Sequence, residues 1–184
     1  MLIATRRRRG LARFGAALAI ASFLTTVLVG APANAASITG PLANGSYLLN
    51  NANSGLCLAY DPSARGAARQ EGCNDDNTTT WYVANAGGDN YVIINEHNNQ
   101  CLSIWGGGVN DGDAAFVYDC QGTTDQMYTL IPATLPIYAG SYQLRNVHSG
   151  KCVAVGGGRT NKGAWVIQWG CAENGAYMWR AYNF

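Results

Sequence analysis

The sequence predicts an all-β domain built from three similar units, and three observations carry that prediction. A cysteine pair occurs three times: Cys57 with Cys73, Cys101 with Cys120, and Cys152 with Cys171. The same landmarks flank each pair. Tyr47, Tyr91 and Tyr142 stand ten residues before the first cysteine, and Asn51, Asn95 and Asn146 six before it. An aromatic follows eight residues after the second cysteine: Trp81, Tyr128 and Trp179. These landmarks step along the chain by 44 to 51 residues, the mark of an internal repeat. Finally, short runs of β-branched and aromatic residues alternate with turn residues, and no useful helical periodicity appears after position 35.

The first 35 residues have the order of a secretory signal peptide. Arg6 to Arg9 and Arg13 are positive, Phe14 to Val29 is mostly apolar, and Ala33-Asn34-Ala35 is an A-x-A cleavage site. The apolar run is short for a membrane span. The arginine cluster is a weak hint of twin-arginine export, but the hydrophobic residues usual around it are missing, so the general secretory route stays open. The expectation is removal, a secreted extracellular product, and no membrane span afterwards. All 11 acidic residues but only 7 of the 12 basic ones lie after position 35, so the net charge falls from +1 to −4. No basic run follows the segment, which argues against binding a nucleic-acid backbone.

Residues 36–44 read as a short leader. Unit one runs from Gly45 to about Ala84, unit two from Asp89 to about Leu130, and unit three from Gly140 to Phe184, all within one domain, 45–184. Asn85-Ala86-Gly87-Gly88 reads as a turn, and the stretch with Pro132 and Pro136 as a linker. Unit three shows the strands best. They are Tyr142–Arg145, Cys152–Val155, Trp165–Trp169 and Tyr177–Tyr182, with a Gly156–Asn161 loop between the second and third. Gly55, Asn99 and Gly150 stand two residues before each first cysteine. These residue types tolerate the positive φ of a tight turn. About four strands per unit could build propeller blades, but propellers typically need at least four of them. One core shared around a pseudo-threefold axis fits better, with Trp81, Tyr128 and Trp179 as its anchors.

Six cysteines in an exported chain argue for disulfides. Six allow 15 connectivities, and the repeat selects pairing within each unit: 57–73, 101–120 and 152–171. Each bridge closes a loop of 16 to 19 residues, worth roughly 3 kcal/mol on the chain-entropy account. Zinc sites prefer much closer C-x2-4-C spacing.

The residues resemble a known family. A tyrosine and asparagine, then Ser-Gly-Lys-Cys, a Gly-Ala loop, Gln-Trp-x-Cys and a terminal tryptophan are similar to the ricin-type β-trefoil lectin domain. Asn146–Val155 and Gly163–Cys171 carry the resemblance most fully, and Gln126-Met127-Tyr128 keeps the Gln-x-aromatic signature. It extends over essentially all of the chain after position 35. The resemblance implies a β-trefoil and a shallow sugar pocket in each unit. The expected pocket residues are an aspartate two after the first cysteine, an aromatic two before the second, and an Asn-Gln pair before the final aromatic. A sugar's hydroxyls need donors and acceptors, and its C–H face packs on a ring.

Matched residue by residue, unit one offers Ala59, Glu71 and Thr78-Thr79. Unit two offers Ser103, Tyr118 and Asp125-Gln126, with Asp111 and Asp113 in a loop placed to overhang them. Unit three offers Ala154, Trp169 and Ala176-Tyr177, with Gln168 and Asn161 nearby. The leading aspartate is absent in all three. The candidate carbohydrate-binding residues are therefore Tyr118, Asp125, Gln126, Ser103 and Asp113, with a secondary set at Trp169 and Gln168.

An enzyme is not expected. His97 and His148 recur four residues before a cysteine, which reads as a turn position, and no H-E-x-x-H, G-x-S-x-G or P-loop pattern is present. Asp75-Asp76 reads as turn chemistry. Asn44-Gly45-Ser46 and Asn77-Thr78-Thr79 are glycosylation sequons. The expected product is a monomeric module without cofactor or metal that binds a glycan or polysaccharide weakly. The alternative is a trefoil with decayed sugar sites that binds a protein, as an inhibitor or a toxin-associated subunit.

Overall fold

The computed structural model describes residues 41–74 and 78–183. The expected signal segment, most of the leader, Asp75, Asp76 and Asn77 lie outside the described residues. Twelve strands are present among them: β1 (Gly45–Asn51), β2 (Cys57–Asp61), β3 (Ala67–Glu71), β4 (Thr80–Gly87), β5 (Asn90–Asn95), β6 (Gln100–Ile104), β7 (Ala115–Tyr118), β8 (Tyr128–Pro132), β9 (Ser141–Asn146), β10 (Cys152–Val155), β11 (Val166–Trp169) and β12 (Trp179–Tyr182). Six close a ring of antiparallel pairs, β1–β4–β5–β8–β9–β12 and back to β1. Closure leaves no open sheet edge in this barrel. The other six form hairpins β2–β3, β6–β7 and β10–β11. These hairpins meet one another at Ala67–Phe116, Arg69–Trp165 and Ala114–Ile167. This is a β-trefoil of three units.

The repeated landmarks are the core. Tyr47, Tyr91 and Tyr142 are buried, and Leu49, Ile93 and Leu144 form a second set of threefold equivalents. Leu58, Leu102 and Val153, each directly after a cysteine, form a third. Burying one such aliphatic side chain contributes about 1.5–3 kcal/mol. The three disulfides close within their units, 57–73, 101–120 and 152–171.

The repeated asparagines have two jobs. Asn51 Oδ1 accepts from the N–H groups of Asn53 and Ser54, and Asn146 Oδ1 from those of His148 and Ser149. Asn95 Oδ1 accepts from the N–H of His97. These bonds shape the turn before each first cysteine. There Gly55, Asn99 and Gly150 adopt φ of 70°, 58° and 68°. Each asparagine amide also donates into the preceding unit: Asn51 to Ala176 O at 3.0 Å, Asn95 to Thr78 O at 3.1 Å, and Asn146 to Asp125 O at 2.8 Å. All three side chains are buried. His97 and His148 thus occupy turn positions.

Several boundaries differ from expectation: β8 runs through Pro132, which the sequence placed in the linker, and β11 begins at Val166 rather than Trp165. Asn85 to Gly87 is not a turn. It continues β4 against β5 through a register shift between Asn85 and Gly87. Tyr177 is not in the last strand. Gly175–Tyr177 is a 3-10 turn in which the Asn174 side chain accepts from the Ala176 N–H, a local bond that competes with strand pairing.

Trp81, Tyr128 and Trp179 are all fully buried. Trp81 Nε1 donates to Leu58 O at 2.9 Å and Trp179 Nε1 to Val153 O at 3.0 Å. No hydrogen bond of good geometry reaches the Tyr128 hydroxyl among the described residues, and burial pushes its pKa up against an opposing contact with the Asn146 side chain. A buried, unpaired hydroxyl is destabilising. Tyr128→Phe is therefore expected to raise stability by about 1 kcal/mol, read as a higher denaturant midpoint at constant slope. A loss of stability would show that the hydroxyl is satisfied.

Candidate functional site

A groove of about 810 Å3 lies where unit one meets unit two. Tyr118 stands at the end of β7, opposite Cys101, with nearly half of its surface exposed. Phe116, two residues earlier on the same face of the strand, lies 5.9 Å from it ring to ring, and Trp105 packs 5.0 Å from Phe116. Tyr60, Pro62, Arg65 and Gly66 of unit one form the opposite wall.

The polar side of the groove holds Ser103 and Asp125. Ser103 occupies the position where the family pattern has an aspartate. Its hydroxyl donates to Asp125 Oδ2 at 2.7 Å. The carboxylate thus arrives from the turn Thr124–Gln126 rather than from β6. Asn146 of unit three holds that turn through the Asp125 carbonyl. Burial tends to raise the Asp125 pKa. Hydrogen bonds from Thr123 and Ser103, its own N–H and the nearby His148 prevail, and the pKa is lowered. The site therefore presents a fixed anionic acceptor beside exposed rings.

Three candidates need correcting. Gln126 is buried, and both ends of its amide are used: Oε1 accepts from Gln121 N at 2.7 Å and Nε2 donates to Asp119 O at 2.8 Å. It shapes the groove's rim from beneath and has no free amide for a ligand. Gln168 is fully buried. Its Nε2 donates to Gly108 O and Asn110 O of unit two, and its Oε1 accepts from Ser149 Oγ. Gln70 does the same in unit one with Arg159 O, Asn161 O and Ser54 Oγ. Asp113 accepts from Asn110 N inside its own loop and lies near Gln168. Asp111 accepts from Lys151 Nζ and Gly170 N of unit three. The loop carrying both aspartates therefore leans on unit three, not over Tyr118.

A smaller groove of about 360 Å3 lies in unit three, lined by Trp169, Tyr177, Asn174, Ala154 and Ile167. Trp169 is nearly half exposed. Gln168 lies beneath this surface and Asn161 outside the groove. Among the described residues, no group of three or more His, Cys, Asp or Glu side chains is placed to hold a metal ion.

Sequence reasoning missed Trp105, Phe116 and the unit-one wall. One signal was available: Trp105 breaks the repeat, since the equivalent positions are Asp61 and Gly156.

The family model of the ricin-type β-trefoil lectin domain matches residues 89–183, and that of a ricin-type β-trefoil lectin domain-like family matches residues 36–118. The chain belongs to the ricin-type β-trefoil lectin family. The family is one of non-catalytic carbohydrate-binding domains. Solved structures agree on the fold. The designed threefold-symmetric protein ThreeFoil is 24% identical with a TM-score of 0.71, covering 77% of this chain and all of its own. The Macrolepiota procera ricin B-like lectin, solved with lactose, is 13% identical with a TM-score of 0.67, covering 79% of this chain and all of its own. An exo-β-1,3-galactanase from Clostridium thermocellum is 23% identical with a TM-score of 0.69, covering 78% of this chain but 31% of its own. No curated protein matches the sequence.

Asp125 is expected to titrate below the ordinary aspartate value of about 3.9, as read by NMR of its carboxyl carbon. A lowered folded pKa means its stabilisation is present above the unfolded value and is lost as pH falls through the folded one. Ser103→Ala should move the midpoint upward. An unchanged midpoint would show that Ser103 does not hold the carboxylate.

Proposed function

We propose that this chain is a secreted, non-enzymatic carbohydrate-binding module whose principal site is the groove between units one and two. The observation that carries the reading is the pairing of Asp125, oriented by Ser103, with the exposed ring of Tyr118 in one groove. An ionised carboxylate accepts from sugar hydroxyls, and charge-assisted bonds of this kind are the strong ones. The Tyr118 and Trp105 rings offer apolar faces for the C–H side of a pyranose. The groove is open, so each sugar buries limited area and binding is weak. Trp169 with Tyr177 and Asn174 forms a secondary site. The lactose complex of the M. procera lectin supports a glycan ligand. The signal-like leader and three disulfides support export to an oxidising compartment. The expected form is a monomer.

The test is a glycan array on the oxidised chain lacking residues 1–35. Tyr118→Ala and Asp125→Asn should each weaken binding about tenfold or more, while Glu71→Ala in unit one leaves it unchanged. Absence of binding to any glycan at millimolar sugar would sink the reading.

One observation favours a protein partner instead. Leu135 and Ile137 are 46% and 73% exposed on the segment joining β8 to β9. Glu173 fixes that segment through bonds from Thr134 and Leu135. A negative array together with a partner lost on Ile137→Asp would favour this alternative.

A further inference from the structure

A second cavity of about 280 Å3 abuts the main groove. Arg65, Trp105 and Phe116 belong to the walls of both, so Trp105 stands at their junction with 59% of its surface exposed. The far wall of the second cavity is Trp165 of unit three, 43% exposed. Tyr118 and Trp105 thus line the main groove, and Trp105 and Trp165 the cavity that adjoins it, so three exposed rings serve two neighbouring cavities.

Neither tryptophan is demanded by the fold. The threefold equivalents of Trp105 are Asp61 and Gly156, and those of Trp165 are Ala67 and Ala114. The tyrosine, asparagine and final-aromatic positions that build the core recur in all three units; these two do not. Trp165 is also held in place. The Arg69 guanidinium lies 4.0 Å from its ring centre, a favourable cation–π distance. Arg69 is anchored in turn by Gly163 O at 2.8 Å and by Asp61 Oδ2, 2.8 Å from its Nε. The Nε–H is not aimed along the latter contact, which is ionic rather than a hydrogen bond. Arg65 is different. It is exposed and held at φ 54° at the end of its turn. Its guanidinium, with five donors, lines both cavities.

We propose that the site takes an extended oligosaccharide rather than a single terminal sugar, running from Tyr118 past Trp105 to Trp165. Arg65 donates to hydroxyl or ring oxygens at the crossing. The proposal rests on the carbohydrate-binding reading above and specifies its ligand as an internal stretch of a polysaccharide. Successive pyranose units stack on separate rings, so each added ring contact strengthens binding while the first site is unchanged.

The test is calorimetric titration of the oxidised chain with disaccharides and hexasaccharides of the cello-, xylo- and galacto- series. At least one hexasaccharide should bind about tenfold more tightly than its disaccharide. Trp165→Ala should bring the hexasaccharide back to the disaccharide level without changing disaccharide binding. Trp165→Phe, which keeps a smaller ring at the same place, should weaken the hexasaccharide in part, leave the disaccharide unchanged, and serves if Trp165→Ala loses its thermal transition. Equal affinity for both lengths, or length dependence untouched by either variant, overturns the extended site and leaves the main groove standing. Binding of neither length, with a negative array, overturns both.

Discussion

Three buried side-chain amides connect this fold. Asn51, Asn95 and Asn146 each close the turn of their own unit and reach back to a carbonyl of the unit before. Because unit one reaches unit three, the chain of bonds is circular. A buried carbonyl left without its donor costs about 1–3 kcal/mol, so no unit's last turn is fully satisfied until its neighbour is in place. The barrel pairing of β12 with β1 closes the same circle in backbone hydrogen bonds. Packing of the threefold aliphatic layers then follows from the geometry these bonds impose.

The site appears where the symmetry fails. In units one and three a buried glutamine, Gln70 or Gln168, ties down a ten-residue hairpin loop of the preceding unit. Unit two has Val117 at that place, and the loop it faces in unit one spans only the five residues 62–66. Val117 touches Gly66 directly, its N–H donating to the Gly66 carbonyl at 2.8 Å. A short loop and an apolar contact replace a long loop and an amide clamp. The main groove opens at that junction, and Tyr118 and Trp105 line it.

The fold was legible in the sequence because symmetry repeats its own signals. Three tyrosines, three asparagines and three cysteine pairs each fall into one structural role, and Gly55, Asn99 and Gly150 do take the positive φ their residue types suggest. The site was less legible for the same reason. Gln168 and Asp113 resemble ligand-binding residues in type and position, but Gln168 bonds to a loop of unit two and Asp113 is engaged by that same loop's Asn110 N–H and by Gln168. That is tertiary information a linear pattern does not hold. Ser103 and Asp125 were legible as residues, yet their bond to each other joins positions 22 apart in the chain. Trp105 and Arg65 carried no family signal, because they sit in loops whose lengths differ between units.

A groove assembled this way makes its repeat a poor unit of exchange. Unit two carries Tyr118, Ser103 and Asp125, but Tyr60 and Arg65 come from unit one and the bond holding the Asp125 turn comes from unit three. Grafting unit two into another trefoil would transfer the ring and the carboxylate without the wall or the brace. Duplication of a unit can therefore copy the scaffold at once, whereas a new recognition surface has to be acquired by neighbours changing together. Specificity in such a molecule is inherited by the junction rather than by the repeat.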